Sequence, residues 1–143
     1  MKIMSVFVDT SAWIAIIDEN NKYHHESVNY FTYLLGNKIT IVTNNVIIDE
    51  TINYIKNEFG IETAKKFNEI VNESIINVKL RMDWISRRER KLALNSFLKD
   101  KNSSLELRYF YILGTLKRKK IDIIFTLDGK LKNFELPVMP QNI

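Results

Sequence analysis

Four carboxylates stand out by where they fall in the chain. Asp9 follows the apolar run 6–8 in "SVFVDTSAWI", Glu50 lies in "VIIDETINYI", Glu106 in "DKNSSLELRYFYIL", and Asp128 closes the run "IIFTLD". A carboxylate at the end of a buried strand is costly to desolvate unless a positive group meets it. Acids gathered in one place repel one another, so such a cluster needs a cation or a rise in pKa. Carboxylate oxygens without Cys or His beside them suit Mg²⁺ or Mn²⁺. Each acid also has a plainer role. Asp9 is placed to cap the helix that follows it, Ser103 and Glu106 have the spacing of a capping box, and Asp128–Gly129 reads as a turn. On a helical wheel Glu50 sits at the margin of an apolar arc formed by Ile47, Ile48, Thr51, Ile52, Tyr54 and Ile55, whereas Asp49 lies opposite that arc. Glu106 falls between Phe110 and Leu113 and faces inward, while Arg108 and Thr115 mark the solvent side.

These acids need elements to position them, and the apolar patterning supplies a set. Short apolar runs predict strands at 4–8, 39–42, 75–79, 122–126 and 135–138; helical periodicity predicts helices at 11–18, 23–36, 45–58, 61–74, 84–98 and 104–119. Short strands separated by long helices require crossover connections. The expected fold class is therefore α/β, with a mostly parallel five-stranded sheet covered by helices on both faces, in three layers α/β/α. In such sheets ligands bind at the carboxyl ends of the strands, where these acids fall. With four Gly, two Pro and no linker-like stretch, residues 1–143 are expected to form a single domain.

Composition excludes several classes of function. The absence of cysteine removes a disulfide framework, a thiolate zinc site and a cysteine nucleophile, and it fits a reducing, cytoplasmic setting. No apolar stretch approaches the roughly 20 residues of a membrane span, and Asp9 interrupts the position where a secretory signal would keep its apolar centre. Neither a membrane location nor export is expected. The formal charge of +4 is unevenly spread. Residues 81–120 carry 12 Lys/Arg and four acids, a net of +8, which leaves the remainder at −4. A basic segment of this kind is either a solvated helix surface or a footprint for a polyanion.

With these residues in view, the chain resembles the PIN-domain nucleases, in particular the small VapC-like type. "FVDTSAWIAIID" resembles the opening motif with Asp9 at its acidic position, and "YHHES" the short His-containing segment after the first helix. "IVTNNVIIDETINYI" resembles the second motif with Glu50 as its acid, "LKDKNSSLEL" the third with Glu106, and "IIFTLDGKL" the last strand and acid at Asp128. The closing "LPVMP" resembles the terminal strand. The third acid is most often Asp in this family. Here it is Glu, and its spacing to Asp128 is a few residues longer than usual, with "KRKK" at 117–120 taking up the difference.

The resemblance implies a PIN-like fold and a Mg²⁺- or Mn²⁺-dependent endoribonuclease that hydrolyses RNA phosphodiester bonds, as the toxin of a VapBC-type toxin–antitoxin pair. On that reading Asp9, Glu106 and Asp128 are the metal ligands, and Glu50 ligates through water or orients the attacking water as a base. Thr10, Ser11 and Thr126 donate hydrogen bonds from behind that hold carboxylate rotamers, or else are local caps. RNA-backbone contacts fall to Arg87, Arg88, Arg90, Lys91, Lys117 and Arg118, although Lys117 and Arg118 also suit a helix C-terminus electrostatically. The expected partners are an RNA substrate, a cognate antitoxin and a second copy of the chain in a homodimer. Trp13 reads as core and His24 and His25 as solvated loop residues; Trp84 stacks on a base or packs under its helix. The alternative left open is a weakly active or inactive PIN scaffold that binds RNA or protein. A carboxylate-dependent phosphatase is disfavoured, because Ser11 stands where an Asp-x-Asp pair would need its second acid.

Overall fold

The computed structural model describes residues 3–140. The chain opens with strand β1 (Ser5–Val8), helix α1 (Thr10–Ile17) and helix α2 (His24–Gly36). Next come β2 (Thr40–Asn44), α3 (Asn45–Phe59), α4 (Ile61–Ile76) and β3 (Leu80–Asp83). Helices α5 (Arg87–Lys99) and α6 (Leu107–Arg118) then lead to β4 (Ile123–Phe125), a 3₁₀ turn at Gly129–Asn133 and β5 (Val138–Met139). The five strands form one sheet in the order β3-β2-β1-β4-β5, and the paired neighbours all run parallel. This is the expected three-layer α/β/α arrangement.

The reason lies in the strands' composition. Val6, Phe7, Val8, Ile124 and Phe125 are fully buried, and continuous burial along a strand means that both faces of the sheet are covered. Phe7 sits opposite Val42 on one side and Ile124 on the other. Trp13 belongs to the core as expected, with its ring edge-on to Phe31 and Phe67 at centroid distances of 5.8 and 5.9 Å. Because β2 and β4 flank β1, the chain winds outward in one direction through β2 and β3 and in the other through β4 and β5. The strand order therefore reverses at β1, which places a crevice at the carboxyl ends of β1 and β4.

Several element boundaries differ from the periodicity reading. The strand expected at 75–79 is displaced to Leu80–Asp83, because Ile75 prolongs the apolar face of α4 made by Ala64, Phe67 and Val71. The chain then turns at Val78, whose φ is 59°. Helix α5 starts at Arg87 rather than 84, behind a capping box in which Glu89 accepts hydrogen bonds from the Ser86 amide (3.3 Å) and hydroxyl. The capping box expected at Ser103–Glu106 does not form: Ser103 donates to Asp100, and α6 starts at Leu107 with Glu106 at its N-cap. His24 opens α2, half-buried, with Nδ1 2.7 Å from the Ala15 carbonyl oxygen, so it is not a solvated loop residue. Among the described residues no helix is long and apolar enough to cross a membrane.

Candidate active site

Three of the four acids converge. Asp9 leaves β1 at the N-cap position of α1, yet its side chain makes no capping bond. Its carboxylate is only 1% exposed and turns toward the crevice, where Oδ2 accepts from the Thr126 hydroxyl at 2.9 Å. Ser11 completes this support, 3.0 Å from the Thr126 hydroxyl and 3.3 Å from Asp9 Oδ2, and it accepts from the Leu127 amide at 2.9 Å. Ser11 and Thr126 thus hold the Asp9 rotamer. Thr10 does not. Its hydroxyl donates to the Ile47 carbonyl at 3.4 Å and accepts from Thr51 at 3.3 Å, so it ties α1 to α3 and turns away from the acids.

Asp128 follows β4 and does two things. Oδ1 accepts from the Lys130 amide at 3.0 Å, capping the 3₁₀ turn, and Oδ2 accepts from the Tyr109 hydroxyl at 2.6 Å. Glu50 lies in the second turn of α3, part-exposed at the core margin, while Asp49 beside it is exposed, as the wheel indicates. Glu106 is elsewhere. It is exposed at the start of α6 and makes no side-chain capping bond, so the third acidic position of the sequence reading is not in the cluster.

What meets the three acids is Arg108. Its Nη2 donates to Asp9 Oδ1 at 2.8 Å, Nε donates to Glu50 Oε2 at 2.9 Å, and Nη1 lies 3.5 Å from Asp128 Oδ2. The guanidinium carbon stands 4.9 Å from the Tyr109 ring centroid, a cation–π distance. Burial by itself would lower the Arg108 pKa, but the negative charges of Asp9 and Glu50 overcome that and raise it, so the group stays charged. Burial also pushes the Tyr109 phenol up to about 12, with its hydrogen bond to Asp128 and the charge of that carboxylate acting in the same direction.

Placing Arg108 and Thr115 on the solvent side is thereby corrected. With Ile112 they share one face of α6 at spacing i, i+4, i+7, and that face packs inward. Thr115 is fully buried, donates to Asp83 Oδ2 at 2.6 Å and accepts from the Asn44 amide nitrogen at 3.0 Å. Asn44 in turn caps α3 by accepting from the Ile47 amide at 2.8 Å. Arg118 closes the chain of bonds, with Nη2 donating to Asp83 Oδ2 at 2.8 Å. That guanidinium is engaged in fixing the ends of β2 and β3. Arg87, Arg88, Arg90 and Lys91 on α5 and Lys117 on α6 are not engaged in this way, and all five are exposed. Trp84 is 62% exposed and does not pack under its helix.

The fit of these residues to a divalent ion has two sides. Three hard oxygen donors on three different elements point at one positive centre, and hydroxyls orient them from behind, which is the donor chemistry of Mg²⁺ or Mn²⁺. In this arrangement the centre is the guanidinium. Among the described residues no three acidic or histidine side chains stand close enough together to hold an ion. Arg108 and Tyr109 were missed by reading the sequence. The signal available was the long spacing from Glu106 to Asp128, which places the residues facing Asp128 later in α6 than Glu106.

The model of the PIN domain matches residues 6–136. Among solved structures the chain is similar to the sarcin–ricin-loop-cleaving toxin VapC20 of Mycobacterium tuberculosis, at 15% identity and a TM-score of 0.75 over 92% of this chain and 95% of that one. It is also similar to VapBC2 of Rickettsia felis, solved with a DNA fragment from its promoter, at 15% identity and a TM-score of 0.66 over 94% and 97% of the two chains. FitAcB of Neisseria gonorrhoeae shares the fold at 14% identity and a TM-score of 0.67 over 94% and 96%. No curated protein matches the chain. A family match spanning nearly the whole sequence, joined to the five-stranded parallel sheet and the acids at its carboxyl edge, establishes that this chain belongs to the PIN domain family.

Proposed function

We propose that the chain is a divalent-metal-dependent ribonuclease of the VapC kind, the toxin of a toxin–antitoxin pair that works in the cytoplasm as a homodimer. The observation that carries this reading is the convergence of Asp9, Glu50 and Asp128, from three separate elements, on a single positive charge at the crevice. An acid buried as deeply as Asp9 has no structural need to be there, since an apolar residue would close the strand end at lower cost. Likeness to VapBC2 and FitAcB supports an antitoxin partner, and likeness to VapC20 supports RNA as substrate.

On this reading Asp9, Asp128 and Glu50 would hold Mg²⁺ or Mn²⁺, which when bound would lower the pKa of water and offset charge on the phosphate oxygens. Thr126 and Ser11 fix the Asp9 carboxylate, and the Tyr109 hydroxyl fixes that of Asp128. Glu50, the most exposed of the three, holds the proton taken from the attacking water at Oε1. Arg87, Arg88, Arg90, Lys91 and Lys117 hold the RNA backbone, a contact that carries no sequence information. The test is cleavage of a structured RNA with and without Mn²⁺ by the wild type, Asp9→Asn and Asp128→Asn. Cleavage is expected in the wild type with metal and lost in both variants; cleavage that persists in both refutes the assignment.

A second reading is favoured by Arg108. A cleft already occupied by a guanidinium suits a PIN scaffold that binds RNA or protein without cutting it. RNA binding without cleavage at saturating Mn²⁺ selects this alternative.

A further inference from the structure

We propose that Arg108 is a built-in cation that competes with the divalent ion for the acidic cleft, so that an ion enters only as the guanidinium leaves. This deepens the metal-site reading of Asp9, Glu50 and Asp128 and rests on it.

Arg108 occupies the point on which the carboxylates converge. Its three nitrogens meet one oxygen each of Asp9, Glu50 and Asp128, at 2.8, 2.9 and 3.5 Å. The remaining oxygens are largely committed as well. Asp9 Oδ2 accepts from Thr126, and Asp128 Oδ1 accepts from the Lys130 amide. Only Glu50 Oε1 has no partner among the described residues. An ion approaching this cleft therefore finds no lone-pair cluster and must take oxygens that the guanidinium holds.

The guanidinium is well seated. Its side chain is 18% exposed, it lies over the Tyr109 ring, and its helix is pinned by Thr115 and Arg118 to Asp83. A planar fork with donors in several directions can serve three carboxylates at once, which a single ammonium cannot do. Yet its one positive charge faces three negative ones, and the imbalance of two is what makes the site attractive to a divalent ion. Competition follows from this charge count. Occupancy by the ion and by the guanidinium are alternatives, because both together would crowd like charges into a cleft sheltered from water.

The experiment is a Mn²⁺ titration of the full chain, with free Mn²⁺ read from its paramagnetic resonance signal and folding from circular dichroism. The proteins are wild type, Asp9→Asn, Arg108→Gln and Arg108→Gln/Asp9→Asn. Arg108→Gln is expected to bind Mn²⁺ at least about tenfold more tightly than wild type, since removal of a close like charge strengthens cation binding. The double variant is expected to lose that gain. Arg108→Gln binding within about twofold of wild type overturns the proposal. If that shared affinity is tight and disappears in Asp9→Asn, the metal-site reading stands without the competition. If neither protein binds Mn²⁺, the metal-site reading fails too. Should Arg108→Gln not fold, the same comparison is made between Glu50→Gln and Glu50→Gln/Arg108→Gln, whose charge imbalance is smaller. The same tenfold gain is then expected, and its absence overturns the proposal.

Discussion

Replacing Arg108 with alanine removes the positive charge that Asp9, Glu50 and Asp128 share, and the cost can be worked from the geometry. The Asp9 pair decides it: the carboxylate is 1% exposed and its Oδ1 accepts from Nη2 at 2.8 Å. Breaking a buried pair and stranding one charge costs about 3 to 5 kcal/mol. Asp9 keeps its bond from Thr126, which argues for the low end. The side chain of Glu50 is 39% exposed, so its share is small after screening, about 0.5 kcal/mol at most. Asp128 is 3.5 Å away and keeps Tyr109 and the Lys130 amide, so it adds little. The expected loss is therefore about 3 kcal/mol, or roughly 9 °C in Tm for a domain of this size. Urea unfolding followed by circular dichroism, in buffer with chelator, measures it. Asp9→Asn and the double variant close a cycle in which the Arg108–Asp9 coupling should account for most of the loss. A loss below about 1 kcal/mol, or no coupling between the two sites, would refute the view that the guanidinium compensates the buried charge of Asp9.

Three further outcomes follow from the same structure. Burial holds the phenols of Tyr109 and Tyr30 up at about 12, reinforced by Asp128 for the first and Tyr33 for the second. The neutral phenol is favoured in the folded state, so its stability contribution is full below the unfolded pKa of about 10 and is lost as the pH climbs to about 12. Tyr109→Phe should accordingly lose less stability than wild type across that window, as read from urea midpoints, and its absorbance titration should lack one late phenol. Arg118→Ala leaves Asp83 buried without its cation and should cost about 2 kcal/mol, whereas Lys117→Ala, on the exposed side of the same helix end, should leave thermal stability within about 0.5 kcal/mol. Arg87→Ala with Arg88→Ala should weaken RNA binding and flatten its dependence on salt by about 0.7 in logarithmic slope for each phosphate that is no longer neutralised, measured by fluorescence anisotropy. An unchanged slope would make α5 an ordinary solvated helix.

Local residue pattern was enough to set the layers of this molecule and the location of its chemistry. Fully apolar strands such as Val6–Val8 must be covered on both sides, and long helices between them force parallel crossovers, so the sheet and the acids at its edge follow from local pattern. Asp9, Glu50 and Asp128 could be found in this way because each directly follows a strand or lies within two turns of one, and Ser11 and Thr126 because they neighbour those acids in sequence. Boundaries such as the displaced β3 were less legible, since Ile75 satisfies a helix face as readily as a strand. Which charge stands among the acids emerged only from the packed fold. Arg108 meets Asp9 across 99 positions of chain, and a wheel that weighs hydrophobicity alone sends an arginine to solvent. Its inward orientation becomes favourable only once β1, β4 and α3 have brought three carboxylates to one point, and no local property of "ELRYFY" encodes that. Glu106 shows the converse: its type suits a ligand, but α6 starts one residue after it and its side chain stays exposed, apart from the guanidinium that the other three acids share.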